Sequence, residues 1–435
     1  MKSQRTKQTI ILGGGIAGLS LGSFLNSRVI ILERKESVGG LSRSYTLDGV
    51  DYDIGPHIIF SKNQKILDLH TSMIETNQIR RSNQIVYKGR YIKYPFENDL
   101  SKLAPEDRDR CLQEFLHNPY ERYDPQNMLQ FFLKTFGEGI TNTYLHPYNQ
   151  KIWKFDPSCM DIQMVERIPK PPKEDVIASA NGIETEGYTH QLYFHYPKKG
   201  GFQSLVDAYA AGVCKRGDVR TGVEILSIKR DGSIWVVKTT QGEVCGNRLV
   251  ISIPLHELFK LMQAPDNIRA ALDRLLFNSI HVVVLHVKRD KIGNHFALYI
   301  PSPDILFHRL SKLNFLGENY CRGDESSTLM AEVTFRPESY LSSLDRATIE
   351  KRVADDLVKL GFINHEDIVS IETRSERYAY VIYDLAHRKN VDYILDYLRK
   401  NGIDCVGRFA EFEYLNSDGV VEHTLKLAER LNANA

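Results

Sequence analysis

The chain has 435 residues, 42% of them hydrophobic, with Lys+Arg 56 against Asp+Glu 55. That length allows two or three domains with sizeable cores, and a net charge of +1 gives no bulk attraction to nucleic acid or to an anionic membrane. Six cysteines (Cys111, Cys159, Cys214, Cys245, Cys321 and Cys405) show neither CxxC nor metal-ligand spacing, no apolar run is long enough to span a bilayer, and Met1 to Gln8 is short and polar, so a metal-free cytoplasmic protein is expected.

Residues 10–12 read as a buried strand running into Gly13-Gly14-Gly15-Ile16-Ala17-Gly18, and residues 29–32 as a second strand ending at Glu33-Arg34. Gly13, Gly15 and Gly18 occupy the glycine places of the dinucleotide fingerprint, and Glu33 stands where an acid accepts hydrogen bonds from a ribose. Ile16 and Ala17 open the helix whose N-terminus faces the phosphates. The fingerprint alone does not separate NAD from FAD. The next segment, Gly39-Gly40-Leu41-Ser42-Arg43, resembles the one that runs beside the flavin pyrophosphate in FAD enzymes of the amine-oxidase superfamily. FAD is therefore the expected cofactor.

Farther on, Gly55-Pro56 turns the chain directly before His57. Residues 62–80 look helical, with Ile66, Leu67, Leu69, Met73 and Ile74 on one face. Residues 85–94 alternate as a hairpin around Lys88-Gly89-Arg90 and stop at Pro95. Helical patterns cover 105–116 and 127–136, and 140–152 continues with aromatics and amides, broken at Pro147. Pro169, Pro171 and Pro172 suggest an extended linker. After residues 193–197 a helix runs through Ala211, strands fill 219–240 around Asp231-Gly232, and residues 249–253 form another buried strand. Residues 277–381 are strand-rich, with two amphipathic helices at 347–360 and 391–400, and a last helix spans about 420–431.

The expected fold is α/β. A doubly wound FAD domain is split over 1–61, 198–258 and 402–435, with Val223 near the cofactor. A helical nucleotide-binding insertion spans 62–84 and 96–190, and a mixed or antiparallel sheet domain spans 85–95 and 259–401.

Two groups of residues stand out for chemistry. Tyr94, Phe96, Glu97, Tyr144, Asn149, Trp153 and Arg167 mix rings, an amide, a carboxylate and one guanidinium, which suits a flat base and a phosphate. Arg309, Arg374 and Arg408 each stand beside apolar or aromatic residues, and Tyr299, Tyr380 and Tyr414 lie in the same regions. No Ser-His-Asp arrangement, carboxylate pair or metal spacing is present in the sequence, which leaves the chemistry to the flavin.

Five segments in register, around His57, Tyr94-Pro95-Phe96, Pro147-Tyr148-Asn149, Lys198-Lys199-Gly200-Gly201 and Gly407-Arg408-Phe409, resemble the eukaryotic-type branch of the UDP-galactopyranose mutases. More loosely, the chain resembles protoporphyrinogen-oxidase-like flavoproteins. The resemblance implies pyranose–furanose interconversion of an NDP-sugar through attack of reduced-flavin N5 on the anomeric carbon, with an external reductant such as NADPH. It implies that Arg309 and Arg408 clamp the diphosphate, helped by Tyr299, Tyr380 and Tyr414. His57 then lies against the isoalloxazine on the loop from Gly55, Tyr144, Asn149, Trp153 and Arg167 form the nucleotide pocket, and Asn416 and Asp418 fall near flavin or sugar.

Three positions depart from that family. Glu97 replaces a glutamine that reads the uracil edge, and a carboxylate only accepts hydrogen bonds, so a base other than uracil is suggested, cytosine through its amino group first, or a guanine edge. Gln191 replaces an asparagine near the sugar, and Pro56 replaces a glycine in the loop before His57. The rival expectation is a net FAD-dependent oxidoreductase of the amine-oxidase or protoporphyrinogen-oxidase type. The oligomeric state stays open.

Overall fold

Runs of Ile, Leu and Val without a polar break make strands that are buried on both faces, as a parallel sheet requires. In the computed structural model, which describes residues 8–165, 168, 171–187, 192–322 and 325–433, five such strands lie side by side and all parallel. Their order across the sheet is Ile403–Cys405, Arg248–Ile251, Gln8–Leu12, Arg28–Leu32 and Asp218–Arg220.

Alternate residues part to the two faces. Ile11, Val29, Ile31 and Val250 pack in one core with the helices Ile16–Phe24, Gln203–Cys214 and Ser417–Ala433. Ile10, Leu12, Ile30, Leu32, Leu249 and Ile251 pack in another with Val223, Ile228, Trp235, Val237 and Val244. That second face is therefore roofed by an antiparallel sheet of Ile225–Asp231, Ile234–Thr239 and Gly242–Gly246.

A larger sheet has the order Ile368–Ile382, Leu276–Val287, Ser327–Phe335, Arg309–Lys312, Ala297–Tyr299, Asn83–Tyr87 and Arg90–Lys93. It is antiparallel except where Ala297–Tyr299 runs parallel to Asn83–Tyr87. Val283, Leu285, Leu329, Ala331 and Val333 face the helix Arg346–Lys359, whose Ile349, Val353 and Leu357 fill the same core. The opposite face carries Val282, Val284 and Met330 toward Tyr52, Phe194 and Tyr196. The helices Pro105–Leu116, Met128–Ile140, His146–Trp153 and Lys173–Ala180 lie between the sheet-forming segments of the chain, and the described residues from 96 to 187 form no strand. The fold is thus α/β, with a parallel sheet and antiparallel sheets.

Two local expectations change. The helix expected over 62–80 stops at Met73, and Thr76–Arg80 is a strand paired antiparallel with Tyr193–Pro197. An available partner edge and alternating Thr76, Gln78 and Arg80 favour extension there over helical propensity. Pro147 does not break the chain. The helical backbone runs on from the π-turn Thr141–Leu145 into His146–Trp153, and the widened turn directly before Pro147 takes up its missing N–H and ring. Pro169 lies outside the described residues, and Pro172 is the N-cap of Lys173–Ala180.

Candidate active site

The glycine turn is shaped by what glycine lacks. Gly13 has φ +108°, and its N–H donates to Leu32 O at 2.9 Å. A Cβ on Gly18 would stand 2.1 Å from Gly13 O, so no larger residue lets the helix Ile16–Phe24 come this close to the turn. That helix starts at Gly15 with no side-chain cap, which leaves its first amides to an anion. Gly39 N–H donates to Gly14 O at 2.7 Å, and a Cβ on Gly40 would stand 3.2 Å from Gly15 Cα. The two glycine segments share one floor.

Above that floor opens a cavity of about 720 Å³. Its wall includes Gly13, Gly15, Ile16, Ala17, Glu33 and Arg34 from the first βαβ unit. Gly40, Leu41, Ser42, His57 and Val223 of the anticipated set also line it, as does Arg408, expected at the diphosphate, whereas Gly55 is not on the wall. Glu33 accepts the Gly14 and Lys35 N–H groups at 2.8 and 2.9 Å, and a carboxylate with about four lone-pair directions keeps capacity for a ribose. These features fit a dinucleotide with its pyrophosphate on the uncapped helix end. Gly18 lies behind the turn, and Asn416 and Asp418 are not on the wall, although Ser417 between them is.

His57 ties this cavity to a neighbouring group of half-buried side chains, Tyr299, Arg309, Tyr380, Arg408 and Tyr414. Burial, then the charges of Arg408 and Arg309, push its imidazole down to about 3, so it is neutral at pH 7. Both arginines therefore act on the ring that lines the cavity.

Their placement is set by strand register. Tyr299 is the direct partner of Arg309, and Arg309 of Glu332, so the three stand abreast on adjacent strands. Arg309 is bidentate to Glu332: its Nε donates to Oε1, and its Nη2 to Oε2 at 2.7 Å. Burial pulls the Arg309 guanidinium down, but the Glu332 carboxylate outweighs this and holds it well above its ordinary value. Tyr380 Oη reaches Glu332 Oε2 at 3.5 Å, and its ring stacks on Tyr414 at 5.9 Å. Trp153 meets both rings edge-on at 5.9 and 5.5 Å and donates its Nε1–H to Asn149 Oδ1 at 2.9 Å. Arg408 lies over Tyr414, 5.0 Å from its centroid, and donates to Leu415 O and Ala379 O.

Beside this group runs a ladder of rings, with Phe96 and Tyr144 buried in the core. Phe96 stacks on Tyr144 at 5.2 Å, Tyr144 on Tyr148 at 5.3 Å, Tyr148 meets Tyr299 at 5.5 Å, and Tyr299 meets Tyr94 at 4.9 Å. Glu97, beside Phe96, is 4% exposed. Burial pushes its carboxyl up to about 7, with its own backbone amide the one opposing influence among the described residues. Arg374 is engaged elsewhere, with Glu372 and with Tyr52 Oη at 3.3 Å. Arg167 and Gln191 lie outside the described residues.

Reading by motif misses Glu332, Tyr148, Ser252 and Tyr378. Glu332 had a signal, a lone acid inside the otherwise uncharged and wholly buried strand Ser327–Phe335. Tyr148 lay within a segment already singled out. Ser252, which donates to Leu12 O at 2.9 Å, and Tyr378, which donates to Glu257 at 2.7 Å, line the cavity without a local sequence signature.

Among families, "Flavin containing amine oxidoreductase" matches residues 16–406. The crystal structure of a reduced UDP-galactopyranose mutase overlays with a TM-score of 0.90 at 23% identity, covering 99% of this chain and 96% of that one, a likeness of fold. A 4,4'-diapolycopene oxygenase from a Methylomonas species is 23% identical over 365 residues, 72% of this chain and 70% of its own. A UDP-galactopyranose mutase from Mycoplasma pneumoniae is 25% identical over 205 residues, 41% of this chain and half of its own length.

Proposed function

The chain belongs to the flavin-containing amine oxidoreductase family, and we propose that within it the protein is an FAD-dependent mutase interconverting pyranose and furanose forms of an NDP-sugar. The observation that carries this reading is the placing of two arginines about one loop: Arg408 lines the cavity with His57, and Arg309 Nη2 lies 3.7 Å from where a Cβ on Gly55 would stand, two residues before His57. A diphosphate suits two guanidinium groups, which can each donate in fork geometry to its oxygens.

In this reading Arg309 and Arg408 hold the diphosphate, and Tyr299, Tyr380 and Tyr414 add O–H donors. The bound arginines stabilise the charge that the diphosphate gains as it leaves the sugar. When bound and reduced, the flavin supplies a nucleophilic nitrogen without net redox change. A neutral His57 exchanges one hydrogen bond without adding a charge beside the cofactor. The rings from Tyr94 to Phe96 and Tyr144, with Asn149, Trp153, Arg167 and Gln191, receive the nucleotide and sugar. We assign the cofactor to 1–61, 198–258 and 402–435, the nucleotide to 62–84 and 96–190, and the sheet wall of the substrate site to 85–95 and 259–401.

Burial refines the choice of base. Protonated Glu97 offers one O–H and one acceptor, and pairs with cytosine N3 and N4–H₂ or with uracil N3–H and a carbonyl. Ionised Glu97 keeps one bond with cytosine but faces uracil's flanking carbonyls. CDP is thus the first candidate, and the ratio of UDP to CDP dissociation constants should rise as pH climbs through about 7. A ratio that stays flat or falls contradicts the assignment.

The family description and the oxygenase relative favour a second reading, net oxidation of a substrate by the flavin. Arg309→Ala and Arg408→Ala separate the two. Both should keep flavin absorbance and lose NDP-sugar turnover. Turnover that survives both changes contradicts the mutase reading.

A further inference from the structure

Glu332 is wholly buried, while its partner Arg309 keeps 24% of its side-chain surface exposed. Burying a carboxylate costs several kcal/mol, and an apolar residue in its place would often serve stability as well. Its position suggests another use. The backbone of Gly55 presses on the ion pair: a Cβ there would stand 3.0 Å from Glu332 Oε2 and 3.7 Å from Arg309 Nη2, at a φ of +79°. Gly55 leads, through Pro56, to His57 on the cavity wall. Tyr380 Oη also points to Oε2, at 3.5 Å. One carboxylate therefore touches Arg309, Tyr380 and the loop of the cofactor cavity.

We propose that Glu332 is a positioning residue: it fixes the Arg309 guanidinium against the Gly55 loop and, by neutralising it before substrate arrives, restrains its grip on a diphosphate. This rests on the diphosphate reading of Arg309 and Arg408. Tight binding of substrate and product adds nothing to the chemical step, whereas an arginine held in one orientation serves it. The fork geometry holds that orientation through two parallel N–H···O bonds.

Glu332→Gln keeps shape and one acceptor but removes the charge, and Glu332→Asp keeps the charge but shortens the reach. UDP and CDP binding to the flavin-loaded protein is measured by calorimetry, and kcat and KM with the corresponding NDP-sugars. Glu332→Gln should bind nucleoside diphosphate about three- to tenfold tighter while kcat falls about tenfold. Glu332→Asp should keep affinity within about twofold of the parent and lose kcat. Unchanged affinity in Glu332→Gln, unchanged kcat in both, or loss of flavin in both overturns the proposal. If the parent protein binds neither nucleotide, the functional reading fails. Inorganic pyrophosphate then serves as the probe, and equal affinity in parent and Glu332→Gln overturns the role of the carboxylate on its own.

Discussion

In the cofactor cavity the decisive atoms are those that glycine lacks, whereas in the neighbouring group of arginines and tyrosines they belong to long side chains brought from separate strands and helices. The cavity floor comes from two short segments, around Gly13–Gly18 and Gly39–Gly40, with backbone pressed on backbone. The second group needs Tyr299, Arg309 and Glu332 abreast on three strands, rings from the 96–153 region, and Arg408 from a distant turn. A site of the first kind is damaged by adding atoms, and one of the second kind by removing them.

The largest effect is expected from adding one methyl group to the floor. Gly18→Ala would drive its Cβ to 2.1 Å from Gly13 O. Isolated protein should lack the visible flavin spectrum and lose about 3 kcal/mol or more of stability, read by thermal denaturation. In the second group, Arg408→Ala should lower kcat about 10²- to 10³-fold with the spectrum retained. If both changes abolish flavin binding, the two regions are not separable as described.

A third change reads the burial of Glu97. Its folded carboxyl is raised to about 7, above the ordinary value of about 4.3, so the unfolded chain ionises first. Its contribution is complete below the ordinary carboxylate range and is lost as pH rises through about 7. Glu97→Gln should therefore match the parent near pH 4 and exceed it by on the order of 2–3 kcal/mol at pH 8, in urea unfolding at both pH values. A difference independent of pH contradicts a buried, uncompensated carboxyl. The smallest effect is expected from Trp153→Phe, which keeps a ring edge-on to Tyr380 and Tyr414 but removes the 2.9 Å bond to Asn149. It should cost about 1 kcal/mol in nucleotide affinity.

The same contrast explains how much the sequence carried. Gly13, Gly15 and Gly18 are diagnostic because turn, close approach and helix packing each depend on the bare backbone, so a local string reports the whole floor. Ile10–Leu12 and Val29–Leu32 likewise revealed the parallel sheet, since burial on both faces leaves an unbroken apolar run. The role of Glu332 was hidden because it depends on the pairing of Arg309–Lys312 with Ser327–Phe335, a register that neither strand encodes alone. The strand at Thr76–Arg80 was hidden for a similar reason, as its partner lies more than a hundred residues away. Pro147 misled because a π-turn directly before it lets the helical backbone pass a proline without breaking.

The most direct measurement incubates the flavin-loaded protein, reduced and anaerobic, with UDP- and CDP-galactopyranose and resolves the sugar nucleotides by chromatography. The account predicts a furanose isomer from at least one nucleotide in the reduced protein, little or none in the air-oxidised protein, and no net consumption of reductant. Absence of the furanose with both, or stoichiometric oxidation of the substrate, would contradict it.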